Sequence, residues 1–430
     1  MLIETYGCTL NQADSDMMGS ILEREGFAVE YGRYDSVKDY DYVIVNTCTV
    51  KKATEQKILH RLGGIGALGG RLVIAGCMAS ANSEIVTRAV PSASIVSTSN
   101  CSRILDVIRD ISAAGRAEYT AYERADKLAN PLYGINPIAR IPVSEGCLSS
   151  CTFCETKRAR GPLNSFSQEL ILKAIRTNVE RGAKEIQLTS QDMGAYGADR
   201  GTDVAELLDA ASEVEGDFMI RVGMLNPEHL HRYFDSLVEA YRSGKVYKFM
   251  HLPVQSGSNR VLGEMARGYS VEEYLGYVCE LKKKIDGISI ATDFIVGYPT
   301  ETEEDFMESL ELLGQARPAR ANISRFSQRP HAQAGLLKEL DNAIVKRRTV
   351  KMYRQGRIIE QEELRMAIGS RETVLITEQG KGSMLGRDQS YREVAVSGPQ
   401  RLGERIVVDI VGAHPACLIG VPVDYAVEGL

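Results

Sequence analysis

Short apolar runs alternate with amphipathic stretches along the first 125 or so residues. LIETYG, YDYVIVNT, RLVIAG and ASIVST are rich in β-branched residues and read as strands. Between them, QADSDMMGSILEREGF places Met17, Met18, Ile21 and Leu22 on one helical face. KATEQKILHRLGGIG reads as a second helix, and SRILDVIRDISAAG closes the series. Alternation of this kind implies a parallel sheet covered by helices.

Residues 118–137 are polar, aromatic and proline-containing, and read as a linker. A second alternating series starts at Ile138. Its strands are ARIPVSE, EIQLTSQ, FMIRVGM, YKFMHLPVQ, GISIATDFIVGYP and ANISRFSQ, with helices such as QELILKAIRTNVERG and VEEYLGYVCELKKKI between them. Six β/α units suit a partial barrel over 138–335, since a full eight-unit barrel needs more chain. A long helix follows from about Asp341 to Ala367, so that 336–366 forms a basic connector. Beyond it the period changes. ETVLITEQ, SMLGRDQSYREVAV, GERIVVDIVGAH and ACLIGVPVDYAV are strands separated by glycines, a small β barrel over 367–430 of the kind that binds oligonucleotides. The fold class is therefore α/β, in three units.

Composition narrows the setting. The 430 residues are 44% hydrophobic and 25% charged, as in soluble globular proteins. No run of about 18 apolar residues occurs, so no membrane partner is expected, and MLIETYGC does not resemble a signal peptide. The cytoplasm is the expected compartment. There the nine cysteines stay reduced, and some of them should bind metal. A net charge of −6 gives no global attraction to nucleic acid, so any such site must be a local patch.

Cys147, Cys151 and Cys154 form C-x3-C-x2-C in EGCLSSCTFCETKRARG, after the strand ARIPVSE. Three thiolates can hold three irons of a [4Fe–4S] cluster and leave the fourth iron open to a small molecule. A structural zinc site wants a fourth ligand, and none follows locally. Zinc completed from elsewhere and plain core cysteines are the competing readings. Cys8, Cys48 and Cys77 each end a strand of the first series. Ligands in open α/β sheets lie beyond the carboxyl ends of the strands, so these three converge on one crevice and suit a second cluster. Cys101, Cys279 and Cys417 have no such context and read as structural.

The triplet with Phe153 before its last cysteine resembles the radical S-adenosylmethionine superfamily. Both triplets in this order, with LTSQDMGAYG, HLPVQSGSNRVLGEMARGY, TDFIVGYPTETEEDF and SRFSQRP, resemble the methylthiotransferases along essentially the whole chain. The last unit looks like the TRAM RNA-binding barrel. GCTLNQADSD, NTCTVKKATEQKI and SQDMGAYG are most similar to the archaeal and eukaryotic branch. That branch adds a 2-methylthio group to N6-threonylcarbamoyladenosine at position 37 of tRNA. Other branches act on isopentenyladenosine or on a ribosomal-protein aspartate. A non-catalytic iron–sulfur or zinc RNA-binding protein is the alternative of another class.

The resemblance implies that the cluster on Cys147, Cys151 and Cys154 cleaves S-adenosylmethionine to a radical that removes hydrogen from C2 of the adenine. It also implies that the cluster on Cys8, Cys48 and Cys77 presents a sulfur methylated by a second S-adenosylmethionine. A sulfur source and an external one-electron donor of ferredoxin or flavodoxin type are required. Phe153, Gln191, Asp192, Gln255 and Asp293 are candidate S-adenosylmethionine contacts at the barrel mouth. One departure stands out: the family often has RPGTxA where this chain has RPHAQA, which leaves no carried-over role for His331.

For the tRNA anticodon loop, KRRTVKMYRQGR carries six basic residues and no acidic one. Lys346, Arg347, Arg348, Lys351 and Arg354 are its phosphate candidates. Arg387, Tyr391 and Arg392 offer a basic and aromatic surface for loop nucleotides. Lys157, Arg158 and Arg160 flank the first triplet, where the splayed-out base would enter.

Overall fold

The computed structural model describes residues 1–430 except 35, 125 and 424–430. The N-terminal unit runs β1 (Leu2–Thr5), α1 (Thr9–Arg24), β2 (Glu30–Tyr31), β3 (Val43–Thr47), α2 (Lys52–Ile65), β4 (Leu72–Gly76), α3 (Cys77–Ala81), α4 (Ser83–Ala89), β5 (Ser94–Val96), α5 (Ile104–Ala114) and β6 (Glu118–Tyr119). Its six strands are all parallel, in the order β2-β1-β3-β4-β5-β6. The four strands expected from the sequence are present. The two extra edge strands have two residues each, too few for a pattern to reveal.

Alternate residues of the central strands supply two cores. Val43, Val45, Leu72 and Ile74 face Ile58, Leu62 and Val86 of α2 and α4. Ile44, Val73 and Ala75 face Met17, Met18, Ile104 and Val107 of α1 and α5. This second core continues without a break into Ala139, Ile141 and Val143 of the next unit. The segment expected to be a linker is therefore anchored: β6 pairs with β5, and Lys127, Leu128 and Leu132 are buried.

The central unit comprises β7 (Ile138–Pro142), β8 (Ser144–Glu145), α6 (Thr156–Arg160), β9 (Asn164–Ser165), α7 (Gln168–Glu180), β10 (Glu185–Thr189), α8 (Val204–Ser212), β11 (Met219–Val222), α9 (Phe234–Ala240), β12 (Phe249–His251), α10 (Asn259–Glu264), α11 (Val271–Lys284), β13 (Ser289–Val296), α12 (Glu303–Ala316) and β14 (Arg320–Arg325). The six long strands form two parallel sheets, β7-β10-β11 and β12-β13-β14. They are stitched together by an Ile220–Val246 bridge and by Leu225 N–H donating to His251 O at 2.9 Å. The result is a partial barrel. ARIPVSE is not one strand: it breaks at Val143, and β8 turns away to pair antiparallel with β9.

The long helix is α13 (Asn342–Arg365), packed along α12 and β14. Beyond it, β15 (Arg371–Gln379), β16 (Met384–Arg387), β17 (Glu393–Val396), β18 (Arg405–Ala413) and β19 (Leu418–Pro422) close into a barrel in the order β15-β16-β17-β19-β18. SMLGRDQSYREVAV supplies two strands rather than one, because Tyr391 takes a left-handed φ of 62° in the turn between them. The end of ACLIGVPVDYAV lies outside the described residues. Lys248 N–H donates to Gln389 O and Ser289 Oγ to Ser390 O, so the small barrel docks beneath the amino ends of the partial-barrel strands. Among the described residues no helix is long and apolar enough to cross a membrane.

Candidate functional site

Cys8, Cys48 and Cys77 follow the carboxyl ends of β1, β3 and β4, three strands adjacent in the sheet. Cys8 caps α1, and Cys77 opens α3. Two glycines bring the chains this close. Gly7 has φ 115°, and a Cβ there would sit 2.9 Å from Cys48 Cβ; Gly76 has φ 90°, and its Cβ would sit 2.1 Å from Asn46 Oδ1. Burial pushes the Cys77 thiol up to about 12 against the pull of Arg160, and the nearby Cys8 and Cys48 push the same way. Burial raises Cys48 as well. Such thiols become thiolates together only with a metal to balance them.

The second set lies in the loop between β8 and α6. Cys147 N–H donates to Gly161 O at 3.2 Å, and Cys154 N–H to Cys151 O at 3.2 Å. Thr152 is tied to the rest of the mouth: its N–H donates to Met265 O, and its carbonyl accepts from Ala334 N–H. Arg267 Nη1 donates to Cys151 Sγ at 3.2 Å, while Nη2 holds Asn226 Oδ1 at 2.6 Å and Nε holds Tyr269 Oη at 3.0 Å. Burial pushes the Cys147 thiol up to about 12. Among the described residues no three Cys, His, Asp or Glu side chains converge on a single-ion site. Around one tetrahedral zinc the thiolates would stand ~3.8 Å apart, whereas a cluster takes one thiolate per iron and spreads them. Three thiols and no other donor in each set suit iron–sulfur ligation.

Between the two sets lies a buried charged network. Arg160 Nη1 stands 2.8 Å from Asp14 Oδ2 and 3.0 Å from Glu145 Oε1. Lys127 Nζ stands 2.6 Å from Asp14 Oδ1 and also pairs with Glu145. Arg160 is only 2% exposed, so it cannot meet RNA as the sequence suggested: two carboxylates draw it inward. Lys157 and Arg158 remain exposed, donating to the carbonyls of Leu148 and Ala81.

The mouth candidates separate by their partners. Phe153 packs against Val261, Met265 and Tyr298. Gln191 is half-buried, with Oε1 unpartnered. Asp192 is buried; its Oδ1 accepts from the amides of Gly194 and Asn226 and so brackets the loop, while its Oδ2 has no hydrogen-bond partner among the described residues. Gln255 adopts φ 75° and pairs its backbone with Asp293 O and Ile295 N–H. Asp293 Oδ1 lies 3.0 Å from His251 Nε2 and 2.8 Å from Asn322 Nδ2. Burial alone would raise this carboxyl, but His251, Asn322 and Lys51 outweigh it and hold it below the usual range. Arg267, His251 and Asn322 went unremarked in the sequence, although the first two lie in HLPVQSGSNRVLGEMARGY. His331 is exposed, and its N–H donates to Glu155 Oε1.

On α13, Lys346, Arg347, Lys351 and Arg354 are exposed around Val350. Arg348 is not: it is 5% exposed and pairs with Glu301 at 2.8 Å and Glu303 at 3.0 Å. The surface expected on the small barrel is also turned inward. Tyr391 packs on Tyr247 and Phe249, Arg392 pairs with Asp388 and Glu372, and Arg387 pairs with Glu393. Tyr391 forms the joint to the partial barrel, because its ring and hydroxyl partners lie there, whereas the two arginines are held by carboxylates of the small barrel itself.

Residues 141–313 match the Radical SAM superfamily, and residues 1–97 match the Uncharacterized protein family UPF0004. The chain is 42% identical over 424 residues to a protein of Archaeoglobus fulgidus named probable threonylcarbamoyladenosine tRNA methylthiotransferase, covering 97% of each. It is 31% identical over 438 residues to the human threonylcarbamoyladenosine tRNA methylthiotransferase, covering 99% of this chain and 74% of that one. Among solved structures, the radical S-adenosylmethionine methyltransferase TsrM of Kitasatospora setae matches with a TM-score of 0.58. At 13% identity, covering 88% of this chain and 79% of that one, this likeness concerns the fold alone.

Proposed function

The chain belongs to the threonylcarbamoyladenosine tRNA methylthiotransferase family, and from that premise we propose how its residues divide the work. The substrate is N6-threonylcarbamoyladenosine at position 37 of tRNA, and the product carries a methylthio group at C2. One observation carries the reading: two separate sets of three cysteines open at strand ends on either side of one buried network.

Cys147, Cys151 and Cys154 would hold one [4Fe–4S] cluster and Cys8, Cys48 and Cys77 a second, which together supply one-electron chemistry and a site for sulfur. Arg267 donates to Cys151 Sγ and so helps to orient that thiol. Phe153, Gln191, Gln255 and Asp293 line the mouth where S-adenosylmethionine is expected, with Asp293 kept ionised by His251 and Asn322. Lys157 and Arg158 border the mouth, and Lys346, Arg347, Lys351 and Arg354 form a phosphate-binding stripe farther out. An external one-electron donor and a sulfur source complete the reaction, in the cytoplasm.

Two measurements test this. Reconstituted anaerobic protein should carry about eight irons per chain, and about four after Cys8, Cys48 and Cys77 are replaced by alanine. Nucleoside mass spectrometry of tRNA from a deletion strain should lose 2-methylthio-N6-threonylcarbamoyladenosine. If that nucleoside persists while another modification or a ribosomal-protein methylthio group disappears, the substrate assignment is wrong.

A further inference from the structure

Arg160 touches the surroundings of both cysteine sets. Its Nε donates to Cys77 Sγ at 3.3 Å, and Nη2 donates to Asn11 Oδ1. Asn11 also accepts from Cys77 Sγ at 3.4 Å. Its Nδ2 donates to the carbonyls of Tyr6 and Thr47 at 2.8 and 2.7 Å, the backbone leading into Cys8 and Cys48. On the other side, Arg160 ends the short helix α6 that follows Cys154, and it pairs with Glu145, two residues before Cys147. Asp14, the remaining partner, stands on the helix that Cys8 caps.

Cohesion alone does not require this arrangement. Met17, Met18, Ala139 and Ile141 already join the two units through a continuous apolar core. Apolar residues of similar volume usually serve stability as well as a buried ion network does. What the network adds is direction. A guanidinium fork accepts few geometries, so each cysteine neighbourhood has one allowed position relative to the other.

We propose that Arg160 is the positioning residue that keeps the Cys8–Cys48–Cys77 set in register with the Cys147–Cys151–Cys154 set, so that both act on one bound adenosine. The proposal rests on the methylthiotransferase reading. Its prediction is uncoupling: S-adenosylmethionine is still cleaved, but sulfur no longer reaches the base in step.

The test compares wild type, Arg160→Lys and Arg160→Gln as full-length reconstituted proteins with unmodified-C2 tRNA. Both 5′-deoxyadenosine and methylthiolated nucleoside are counted. Arg160→Gln should raise the ratio of the first to the second by about tenfold or more, with Arg160→Lys in between. In a background with Cys147, Cys151 and Cys154 replaced by alanine, Arg160→Gln should also alter the electron paramagnetic resonance signal of the remaining set. An unchanged ratio and signal overturn the proposal, as does an equal fall of both products with a lowered melting temperature, which would mark a merely structural role. A wild-type chain that forms no methylthiolated nucleoside removes the reading beneath the proposal, and the proposal with it.

Discussion

Tyr391 places its hydroxyl 2.9 Å from Glu185 Oε1, joining a turn of the small barrel to the foot of β10. Its ring lies 4.8 Å from that of Tyr247 and 5.2 Å from that of Phe249. Tyr391→Phe keeps the packing and strips one bond from a buried carboxylate, so it should destabilise by about 1–3 kcal/mol. Tyr391→Ala also removes the aromatic contacts and should cost about 3–5 kcal/mol. Urea unfolding checks both. Equal losses for the two variants would mean that the ring contributes nothing to the joint.

Asp16 makes stability depend on pH. Burial outweighs the Arg140 guanidinium 3.2 Å away and pushes this carboxyl up to about 6. The folded protein then binds the proton more tightly than the unfolded chain does. The resulting stabilisation is complete below the ordinary carboxylate value of 3.8 and is lost as pH rises through about 6. The gap corresponds to roughly 3 kcal/mol at most. Asp16→Asn cannot titrate. Unfolding free energies across this window should fall with pH more steeply in wild type than in Asp16→Asn, and parallel slopes would refute the assignment.

Arg267 donates to Cys151 Sγ, while its other partners are the uncharged Asn226, Tyr269 and Pro253 carbonyl. Among the described residues no carboxylate pairs with this guanidinium, so no fixed anion competes with the sulfur for its charge. Hydrogen bonds and positive charge at cluster sulfurs stabilise the reduced form. Arg267→Gln should lower the reduction potential of the Cys147 set and slow S-adenosylmethionine cleavage by about 10–100-fold. Arg267→Lys, which keeps the charge, should recover part of both. A potentiometric titration followed by electron paramagnetic resonance decides the point.

The cysteines were legible in sequence because strand ends are legible. A β-branched run that stops at TYGC, NTC or AGC tells where the thiol stands, and parallel topology brings such ends to one edge. The basic residues were less legible. Composition marks a charge but not the direction it faces. Arg160 sits two residues after Arg158 in the same run, yet one is buried and the other exposed. Which side of a one-turn helix meets Asp14 depends on contacts across 146 positions of chain, and no local pattern encodes that. Tyr391 misled for a related reason: an aromatic beside arginines suits RNA or a domain joint equally well.

Arg347 and Arg348 are neighbours in sequence but should fail in opposite ways. Successive helical residues point about 100° apart, and Arg348 shares its face with the buried Val345, Met352 and Ile359. Arg348→Gln leaves Glu301, which is 2% exposed, without its cation and should cost about 3–5 kcal/mol of stability. Arg347 is 65% exposed, and its pairing with Glu303 at 3.3 Å contributes little in solvent. Arg347→Gln should therefore leave the melting temperature near that of wild type. If the exposed stripe meets tRNA phosphates, the same change should flatten the dependence of log binding constant on log salt by about 1. Binding titrations at several salt concentrations, paired with thermal unfolding, separate the two outcomes. An Arg347→Gln protein whose salt slope equals that of wild type would remove this residue from the tRNA-binding stripe and leave Lys346, Lys351 and Arg354 to be tested in the same way.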